Sequence, residues 1–284
     1  MNEQEERSLN RRRFLKRFAG GLCLLGGLWT LTEPLLISLE EQTISLTDLA
    51  KAFDGFKIAL LSDTHCGPFT TPSFVQKAVE LANEANPDVV LLLGDFCHRH
   101  KKYIGPGIEP FANFKATSGV YAVLGNHDHW ESESLTRKEL KRAGVNVLLN
   151  KSVTLSKAGE KLSIGGVDDL WEGRQDLRST FRGVKKETTK ILMSHNPDYA
   201  ERLYFDGKIS LMVSGHTHGG QVRLPFIGAP ILPVRTGQKY CAGLAKGPDC
   251  LVYTSRGVGT ITPPVRFRCR PEVSLLTLTP KVMK

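Results

Sequence analysis

Apolar runs alternate with stretches of helical spacing from residue 56 to residue 143. The runs 56–61, 89–93 and 120–124 are rich in aliphatic residues, which is typical of strands in a parallel sheet that is buried on both faces. Between them, residues 72–86 carry apolar side chains at helical spacing and end at Asn86-Pro87, and further helices are predicted over 107–118 and 132–143. This part of the chain therefore predicts a βαβαβ arrangement.

The strand content rises after Gly144. Short apolar runs that suit strands lie at 146–149, 153–155, 162–164, 191–193, 211–213, 251–253 and 273–278. A βαβαβ half followed by a strand-rich half predicts one α/β domain with two packed sheets.

The first 32 residues differ in composition from the rest. They hold six Lys or Arg and three Glu, and they end in an uncharged Gly/Leu-rich run from Phe18 to Thr32. That run is short for a membrane-spanning helix, which needs about 20 residues, but it suits the apolar part of an export signal. The stretch Asn10-Arg11-Arg12-Arg13-Phe14-Leu15-Lys16 resembles a twin-arginine export signal. We interpret 1–32 as such a signal or as an N-terminal membrane anchor, 33–55 as a linker with a lead-in strand, and 56–284 as the main domain.

Composition narrows the class of protein. The chain has 284 residues, 40% of them hydrophobic and 24% charged, which indicates a globular body. Its mean hydropathy of −0.19 excludes a polytopic membrane protein. Of the net charge of +9, the first 32 residues contribute 6 − 3 = +3, which leaves +6 for the rest. The basic residues are scattered and are not interleaved with aromatic residues, so no nucleic-acid partner is expected. The six cysteines form no C-x-x-C pair, so a thiolate zinc site is not expected either.

Polar clusters follow five of the predicted strands at the points where those strands end. Open α/β sheets bind their ligands at the carboxyl ends of the strands. Each cluster is a weak signal alone, but buried carboxylates and imidazoles in such numbers would cost several kcal/mol without a compensating cation. The set therefore predicts a metal centre. The clusters are 62–65, 94–95, 125–129, 194–197 and 214–220.

These clusters contain the motifs D-x-H (63–65), G-D (94–95), G-N-H-D (125–128), H (195) and G-H-x-H (215–218). In this set the chain resembles the calcineurin-like metallophosphoesterases over residues 56 to 278. The resemblance implies an α/β fold with a four-layer α/β/β/α sandwich, so that 56–284 would be the metallophosphoesterase domain. It implies one metal ion held by Asp63, His65, Asp95 and His218, and a second held by Asp95, Asn126, His195 and His216.

The same resemblance implies the cofactors and the reaction. A ligand set of nitrogen and oxygen without sulfur suits two divalent or trivalent ions of Mn, Fe or Zn, with Mn favoured. A metal-bridging hydroxide would attack phosphorus in line. His127 would protonate the leaving oxygen, and Asp128 would orient His127. His98 and Arg99 are candidate substrate contacts. The alternatives are that His98 merely replaces an acidic residue of relatives and that the basic run 99–102 is a solvated loop.

A narrower resemblance concerns the substrate. Residues 219–225, 237–240 and 256–259 look like the YkuE/YaeI-like exported phosphodiesterase branch of the family. The apolar, proline-spaced loop Leu224–Pro233 either packs on the body or meets acyl chains at a membrane surface. We therefore predict a phosphodiesterase or pyrophosphatase for a membrane-associated or lipid-linked substrate.

Other functions and two locations stay open at this stage. The enzyme alternatives are a UDP-2,3-diacylglucosamine pyrophosphatase of lipid A biosynthesis and a phosphomonoesterase or protein phosphatase. The non-enzyme alternative is a basic nucleic-acid-binding module. Export through the twin-arginine translocase would place the protein on the periplasmic face of the membrane, and without export it would lie on the cytoplasmic face of the inner membrane.

Overall fold

A computed structural model describes residues 27, 29–203 and 205–281 of the chain. Residues 1–26, which carry the twin-arginine-like stretch, lie outside the described residues, so the structure does not bear on the predicted signal or anchor. Among the residues that are described, no helix combines the length and the apolar character needed to cross a membrane.

The first sheet of the described chain has six strands and carries most of the predicted βαβαβ pattern. The spatial order is β1 (Ser38–Leu46), β12 (Glu272–Pro280), β2 (Lys57–Leu61), β3 (Val89–Leu92), β4 (Val120–Ala122) and β5 (Asn146–Val147). Strands β2 to β5 are parallel, β12 runs antiparallel to β2, and β1 pairs in parallel with β12 over nine residue pairs. The sheet thus includes β1, which lies within the segment 33–55.

The second sheet is built from the strand-rich half of the chain. Its four central strands are parallel, and both edge strands are antiparallel to their neighbours. The spatial order is β10 (Gly243–Lys246), β11 (Leu251–Thr254), β9 (Leu211–Ser214), β8 (Thr189–Met193), β7 (Glu160–Gly166) and β6 (Lys151–Lys157). The edge strand β10 was not predicted from the sequence.

The main hydrophobic core lies between the two sheets. Ile58 and Leu60 of β2 pack there against residues of the second sheet such as Ile191 and Leu211, and all of these side chains are fully buried. The intervening residues of β2 face the opposite way, because successive side chains of a strand alternate between its faces. The inner strands of both sheets are therefore buried on both faces, as their continuous apolar runs predict.

Helices cover the outer faces of both sheets. On the first sheet, α1 (Pro72–Glu84), α2 (Ile104–Ile108) and α3 (Asn126–Arg142) pack on the outward residues of β2 and β3. On the second sheet, the cover is thinner and consists of α4 (Leu177–Thr180) and the 3₁₀ helix Pro197–Arg202. The predicted four-layer α/β/β/α sandwich is thereby confirmed.

Two predicted helices differ from the observed ones. The predicted helix 107–118 is wrong: α2 ends at Ile108, a 3₁₀ helix spans Glu109–Asn113, and the chain is extended from Phe114. The cause is Pro110, which has no amide hydrogen and begins a new turn. In α3, Ser132 leaves the helical region (φ 177°, ψ 99°), and its hydroxyl accepts a hydrogen bond from the amide of Leu135. The predicted helix 132–143 is the part that follows this break.

Candidate metal centre

The loops that follow β2, β3, β4, β8 and β9 meet at one edge of the sandwich. They bring together all seven predicted metal ligands, and each of these residues is buried. Most of the ligand atoms fall into two clusters, and within each cluster they lie within 4.8 Å of one another. Asp63, His65 and His218 form the first cluster, and Asp95, His195 and His216 form the second.

The first cluster consists of three residues from two loops. The Nε2 atoms of His65 and His218 are 3.1 Å apart, and His218 Nε2 is 3.4 Å from Asp63 Oδ1. Neutral imidazoles offer a lone pair at an unprotonated nitrogen, so two such nitrogens facing a carboxylate oxygen make a nitrogen and oxygen donor set. That donor set is the chemistry expected of a first-row metal site.

Asp95 lies between the two clusters. Its Oδ2 atom is 3.3 Å from His195 Nε2 in the second cluster and 3.5 Å from His65 Nε2 in the first. His195 Nε2 is also 3.1 Å from His216 Nδ1. One carboxylate therefore faces imidazole nitrogens from both sides, which is the position that the predicted bridging ligand requires.

Asn126, the first residue of α3, has a buried side-chain oxygen that finds no hydrogen-bond partner among the described residues. A buried polar atom without a partner costs about 1–3 kcal/mol. An amide oxygen can ligate a metal ion, so the orphaned oxygen fits the predicted role. Together with the two clusters, it shows that the residues present suit a pair of metal ions.

The ligand loops have strained backbones. Asp63, His65, Asp95, His216 and His218 all have positive φ values, between 41° and 67°. Residues other than glycine rarely adopt this left-handed region, and strain of this type costs about 1–3 kcal/mol per residue and is concentrated at functional sites. These backbone conformations cost local energy, and they direct the ligand side chains into one common space.

Hydrogen bonds stabilise these loops. The carboxylate of Asp63 accepts from the Ser62 hydroxyl (2.5 Å) and from the amide of His216 (2.9 Å to Oδ2). The His195 ring donates from Nδ1 to the Leu93 carbonyl (2.7 Å), which leaves Nε2 facing Asp95. Such bonds on the far nitrogen fix the ring orientation of metal-ligating histidines.

Two glycines of the motifs are required because other side chains of the site lie too close to them to leave room for a Cβ atom. A Cβ atom at Gly125 would overlap the carboxylate of Asp95 and would come within 2.7 Å of the His195 ring. A Cβ atom at Gly215 would overlap the side chains of Ser62 and Asp63. The glycine of G-N-H-D and the glycine of G-H-x-H thus leave the space that the ligands fill.

Burial keeps three of the imidazoles neutral. It lowers the pKa of His65 and His218 well below the usual range and that of His216 to about 3. A metal ion binds only the neutral imidazole, and a low pKa removes the competition from protons. These three side chains are therefore ready to ligate at neutral pH.

The other charged groups of the centre depend on one another. Burial alone would lower the pKa of His195, but the carboxylate of Asp95 raises it well above its usual range. Burial alone would likewise raise the pKa of Asp95, but the His195 ring lowers it well below normal. Burial raises the pKa of Asp63 to about 6. Asp95 is thus held as a carboxylate, and the proton that it favours on His195 must leave before that ring can ligate a metal ion.

Asp128 is not placed as the sequence analysis expected. Its carboxylate accepts hydrogen bonds from the backbone amides of Asp95 (2.8 Å), Phe96 (3.0 Å) and Gly125 (2.9 Å). Burial, together with the nearby Asp95, raises its pKa to about 7. The described contacts therefore make Asp128 a brace for the two ligand loops, whereas the prediction had it orienting the His127 ring. The difference arises because α3 begins at Asn126, which turns Asp128 towards the backbone of its own N-terminus.

His127 lies at the edge of the metal centre. Its amide donates to Asp95 Oδ1 (2.9 Å), and its ring centroid is 4.7 Å from that of His65 and 4.7 Å from that of Trp130. The side chain is only partly buried and lines a cavity of about 190 Å³ together with five of the predicted ligands. This position next to open space suits a group that touches the substrate.

The two candidate substrate contacts differ from each other. His98 is 7% exposed, its ring centroid is 5.3 Å from that of His127, and neither ring nitrogen has a hydrogen-bond partner among the described residues. Burial lowers the pKa of His98 to about 4, so the ring is neutral. Arg99 is exposed, and its guanidinium donates to the Thr262 hydroxyl and lies 5.8 Å from the centre of the Phe69 ring. The structure thus brings His98 against the ring of His127 and places the Arg99 guanidinium on Thr262, which follows the cavity-lining Ile261.

Several residues of the site were not found from the sequence. Trp130 (54% exposed) and Trp171 (48% exposed) flank the cavity, and the Trp171 ring is 4.5 Å from the His216 ring. Arg266 is fully buried and donates to the carbonyls of Gly257 (3.2 Å) and Gly259 (2.6 Å), in the loop whose Gly259 amide donates to the Asp63 carbonyl. No periodic pattern marks these residues, because their roles depend on the path of the irregular segments that carry or contact them.

The loop that carries Trp171 is fixed by Asp168 and Asp169, for which the sequence analysis proposed only hydrogen bonding. Asp169 Oδ1 accepts from the Trp171 amide (2.8 Å), and Asp168 Oδ1 lies 3.1 Å from His129 Nε2. The hydrogen bond to Asp168 raises the pKa of His129. The contact between Asp168 and His129 links the loop to α3 and so holds Trp171 against the metal centre.

Comparisons with known proteins agree with this geometry. The family described as calcineurin-like phosphoesterase matches residues 56–220. The uncharacterised metallophosphoesterase YkuE of Bacillus subtilis is 33% identical, over 96% of this chain and 98% of its own. The phosphodiesterase YaeI of Escherichia coli is 32% identical, over 95% of this chain and 99% of its own. Among solved structures, the NAD nucleotidase of Haemophilus influenzae has a TM-score of 0.46 at 18% identity, over 72% of this chain and 45% of that one.

Proposed function

The chain belongs to the calcineurin-like phosphoesterase family, and we propose that it is a two-metal phosphodiesterase or pyrophosphatase that acts on amphiphilic substrates at a membrane surface. The observation that carries the proposal is the pair of Asp/His clusters that share Asp95 at the floor of a solvent-open cavity. Two metal ions bound there would act as Lewis acids on the phosphoryl group and on the attacking water.

The residues of this chain supply the rest of the chemistry. Asp63, Asp95 and Asn126 would provide oxygen ligands. The neutral rings of His65, His216 and His218 would provide nitrogen ligands, and so would His195 once it has lost the proton that Asp95 favours. The His127 ring, on the open side of the cavity, is placed to give a proton to the leaving oxygen. His98, whose ring nitrogens have no hydrogen-bond partner among the described residues, lies beside the rings of His65 and His127 and would contact the substrate from the buried side. Mn is the metal we favour for this nitrogen and oxygen donor set, ahead of Fe and Zn.

The shape of the cavity supports a diester rather than a monoester. Trp130 lies beside His127, and Trp171 lies beside His216, so an exposed aromatic ring stands on each side of the metal centre. A phosphodiester or pyrophosphate carries a substituent on each side of the reacting phosphorus, whereas a monoester carries only one. The name of the relative YaeI, a phosphodiesterase, points the same way.

The loop Leu224–Pro233 supports contact with a membrane. Phe226 is fully exposed, Ile231 is 80% exposed, and Ile227 is 65% exposed, whereas Ala229 in the middle of the loop is buried. The loop is thus anchored to the body at its centre and presents its large apolar side chains to solvent. Its last residue, Pro233, has its carbonyl oxygen 3.2 Å from His216 Nε2. Apolar side chains that insert into a bilayer there would bring the metal centre to the lipid headgroups.

The N-terminal segment supports attachment to the same surface. It is basic and then apolar, and it contains the twin-arginine-like Arg11-Arg12-Arg13. We propose export by the twin-arginine translocase to the periplasmic face, tested with a reporter fused to residues 1–32, whose export should fail after Arg11→Lys and Arg12→Lys. Export that survives in that double variant would show a route other than the twin-arginine translocase. Failure of the unchanged fusion to be exported would instead favour the cytoplasmic face of the inner membrane, where UDP-2,3-diacylglucosamine would be one lipid-linked pyrophosphate within the proposed class.

The proposed reaction is tested on two chromogenic substrates with the same leaving group. The full chain, supplied with Mn²⁺, should hydrolyse bis-p-nitrophenyl phosphate with a kcat/KM at least about tenfold above that for p-nitrophenyl phosphate, because a second substituent gains contacts worth about 1.4 kcal/mol or more. The measurement is the release of p-nitrophenol at matched free Mn²⁺. A clear preference for p-nitrophenyl phosphate would favour the alternative that the protein is a phosphomonoesterase. Activity on neither substrate with Mn²⁺, Zn²⁺ or Fe²⁺ would contradict the proposed phosphoester hydrolysis.

The membrane contact is tested with the apolar loop. Phe226→Ser combined with Ile231→Ser should lower binding to vesicles of mixed zwitterionic and anionic lipid by about tenfold or more, because each fully inserted apolar side chain is worth about 1.5–3 kcal/mol. Binding is measured by sedimentation of the vesicles, and hydrolysis of bis-p-nitrophenyl phosphate in solution should stay unchanged. Leu244→Ser, at an exposed apolar position on the edge strand β10, is the matched control. Unchanged vesicle binding in the double variant would show that the loop does not insert.

A further inference from the structure

A second cavity, of about 360 Å³, lies beside the metal cavity. It is lined by Leu170, Trp171, Asp198, Arg202 and Arg235, and Trp171 is a wall of both cavities. The sequence analysis assigned no role to either arginine. A molecule in the metal cavity that extends past the Trp171 ring would enter the second cavity.

A short stretch of backbone, from Pro233 to Arg235, runs from the metal cavity to the second cavity. Pro233, which lines the metal cavity, has its carbonyl oxygen 3.2 Å from His216 Nε2, and Arg235 follows two residues later. Because consecutive Cα atoms are about 3.8 Å apart, the Cα atom of Arg235 is within about 7.6 Å of that of Pro233. The arginine is thus close enough to reach a group attached to a phosphate at the metal centre.

Both guanidinium groups are available for a ligand. Arg202 and Arg235 are exposed, and neither guanidinium forms an ion pair or hydrogen bond with another described residue. The carboxylate of Asp198, which lines the same cavity, accepts from the amides of Arg235 (2.7 Å) and Thr236 (3.1 Å) and from the Thr236 hydroxyl (2.6 Å). Asp198 therefore shapes the loop that carries Arg235, and the two positive charges exceed its single negative charge.

The wall between the cavities is fixed. Asp169 Oδ1 accepts from the amides of Trp171 (2.8 Å) and Glu172 (3.0 Å), and the Trp171 ring packs edge-on against the His216 ring. Arginine binds phosphate oxygens through parallel N–H donors, and such charge-assisted bonds are the strong ones. A rigid wall with two arginines beyond it, whose guanidinium groups have no partner among the described residues, is the geometry of an anion subsite.

We propose that Arg202 and Arg235 bind a second phosphate group of the substrate while the first lies at the metal centre. This inference rests on the proposed function and narrows it to substrates with two phosphate groups, either linked as a pyrophosphate or carried on one headgroup. The substituent between or beside the phosphates would pass along the Trp171 ring. Nucleotides and phosphorylated lipids both offer this chemistry.

The test compares ligands that differ by one phosphate. The nucleotide pair is α,β-methylene ADP and AMP, and the lipid pair is dioctanoylglycerol pyrophosphate and dioctanoyl phosphatidic acid. Dissociation constants are measured by calorimetry on the full chain at a fixed free Mn²⁺ concentration, for the wild type and for Arg202→Ala combined with Arg235→Ala. The matched control is Arg142→Ala, which replaces an exposed arginine at the C-terminal end of α3, the end opposite the ligand Asn126.

In the wild type, the second phosphate should tighten binding by at least about tenfold in one or both pairs. The double variant should lose that gain and bind the ligand with one phosphate within about twofold of the wild type, and Arg142→Ala should keep the gain. A gain in only one pair shows whether the second phosphate belongs to a nucleotide or to a lipid. The absence of any gain in the wild type, or a gain that survives in the double variant, would overturn the subsite. Hydrolysis of bis-p-nitrophenyl phosphate, which has only one phosphate, is followed on the same samples and tests the proposed function separately.

Discussion

Asp95→Asn should lower the hydrolysis of bis-p-nitrophenyl phosphate by about 10³-fold. The side chain faces imidazole nitrogens of both clusters, at 3.3 Å from His195 and 3.5 Å from His65, and an amide has only one oxygen to offer and no charge. Removal of one partner from a buried charge pair costs about 3–5 kcal/mol, which corresponds to the expected loss. The measurements are kcat/KM and the metal content of the purified protein, and the metal content should fall below two ions per chain.

The matched control for this variant is Asp54→Asn, at an exposed carboxylate after a 3₁₀ helix far from the cavity. It should keep full activity and full metal content. The thermal unfolding midpoint of both variants shows whether the fold survives. Full activity in a folded Asp95→Asn protein would mean that Asp95 does not bridge two ions.

His127→Ala should lose activity but keep its metal ions. The ring lies beside the two Asp/His clusters, and the contact that His127 makes with Asp95 comes from its backbone amide, which alanine retains. Loss of a proton donor costs about 10²–10⁴-fold in rate. We expect kcat to fall within that range while the metal content and KM change little.

The leaving group separates proton donation from a merely structural role of His127. A p-nitrophenolate leaves easily without a proton, whereas an alkoxide does not, so the loss caused by His127→Ala should be smaller for bis-p-nitrophenyl phosphate than for an alkyl diester such as glycerophosphocholine. His129→Ala, two residues along the same helix and outside the metal cavity, is the comparison variant and should show no such dependence. An equal loss on both substrates, or a loss of metal, would show that His127 supports the centre rather than the leaving oxygen.

Much of the site could be predicted because the ligands follow strands. A strand such as Val89–Leu92 is recognised by its apolar run, and the carboxyl ends of parallel strands share an edge, so Asp63 and Asp95 had to lie near each other. The polar residue that follows each strand could therefore be assigned to one centre before any contact was known. The same periodicity predicted the two sheets and the core between them.

The parts that could not be predicted depend on contacts that leave no local signal. The role of Asp128 is set by the first turn of α3, which aims its carboxylate at the amides of Asp95 and Phe96. The burial of Arg266 is set by four backbone carbonyls of its own irregular segment, three to ten residues away in the chain. Trp171 reaches the centre through a loop that is shaped by side-chain to backbone hydrogen bonds. In each case the role of the residue depends on the path of an irregular segment, which has no periodic pattern in the sequence.

The number of metal equivalents needed for activity tests the central claim most directly. The metal-free full chain is titrated with Mn²⁺, and the initial rate of hydrolysis of bis-p-nitrophenyl phosphate is measured after each addition. Two clusters that share one carboxylate predict that the rate rises until two equivalents are bound and then stays constant. A rate that reaches its plateau at one equivalent, or that does not depend on metal, would contradict a two-metal phosphodiesterase.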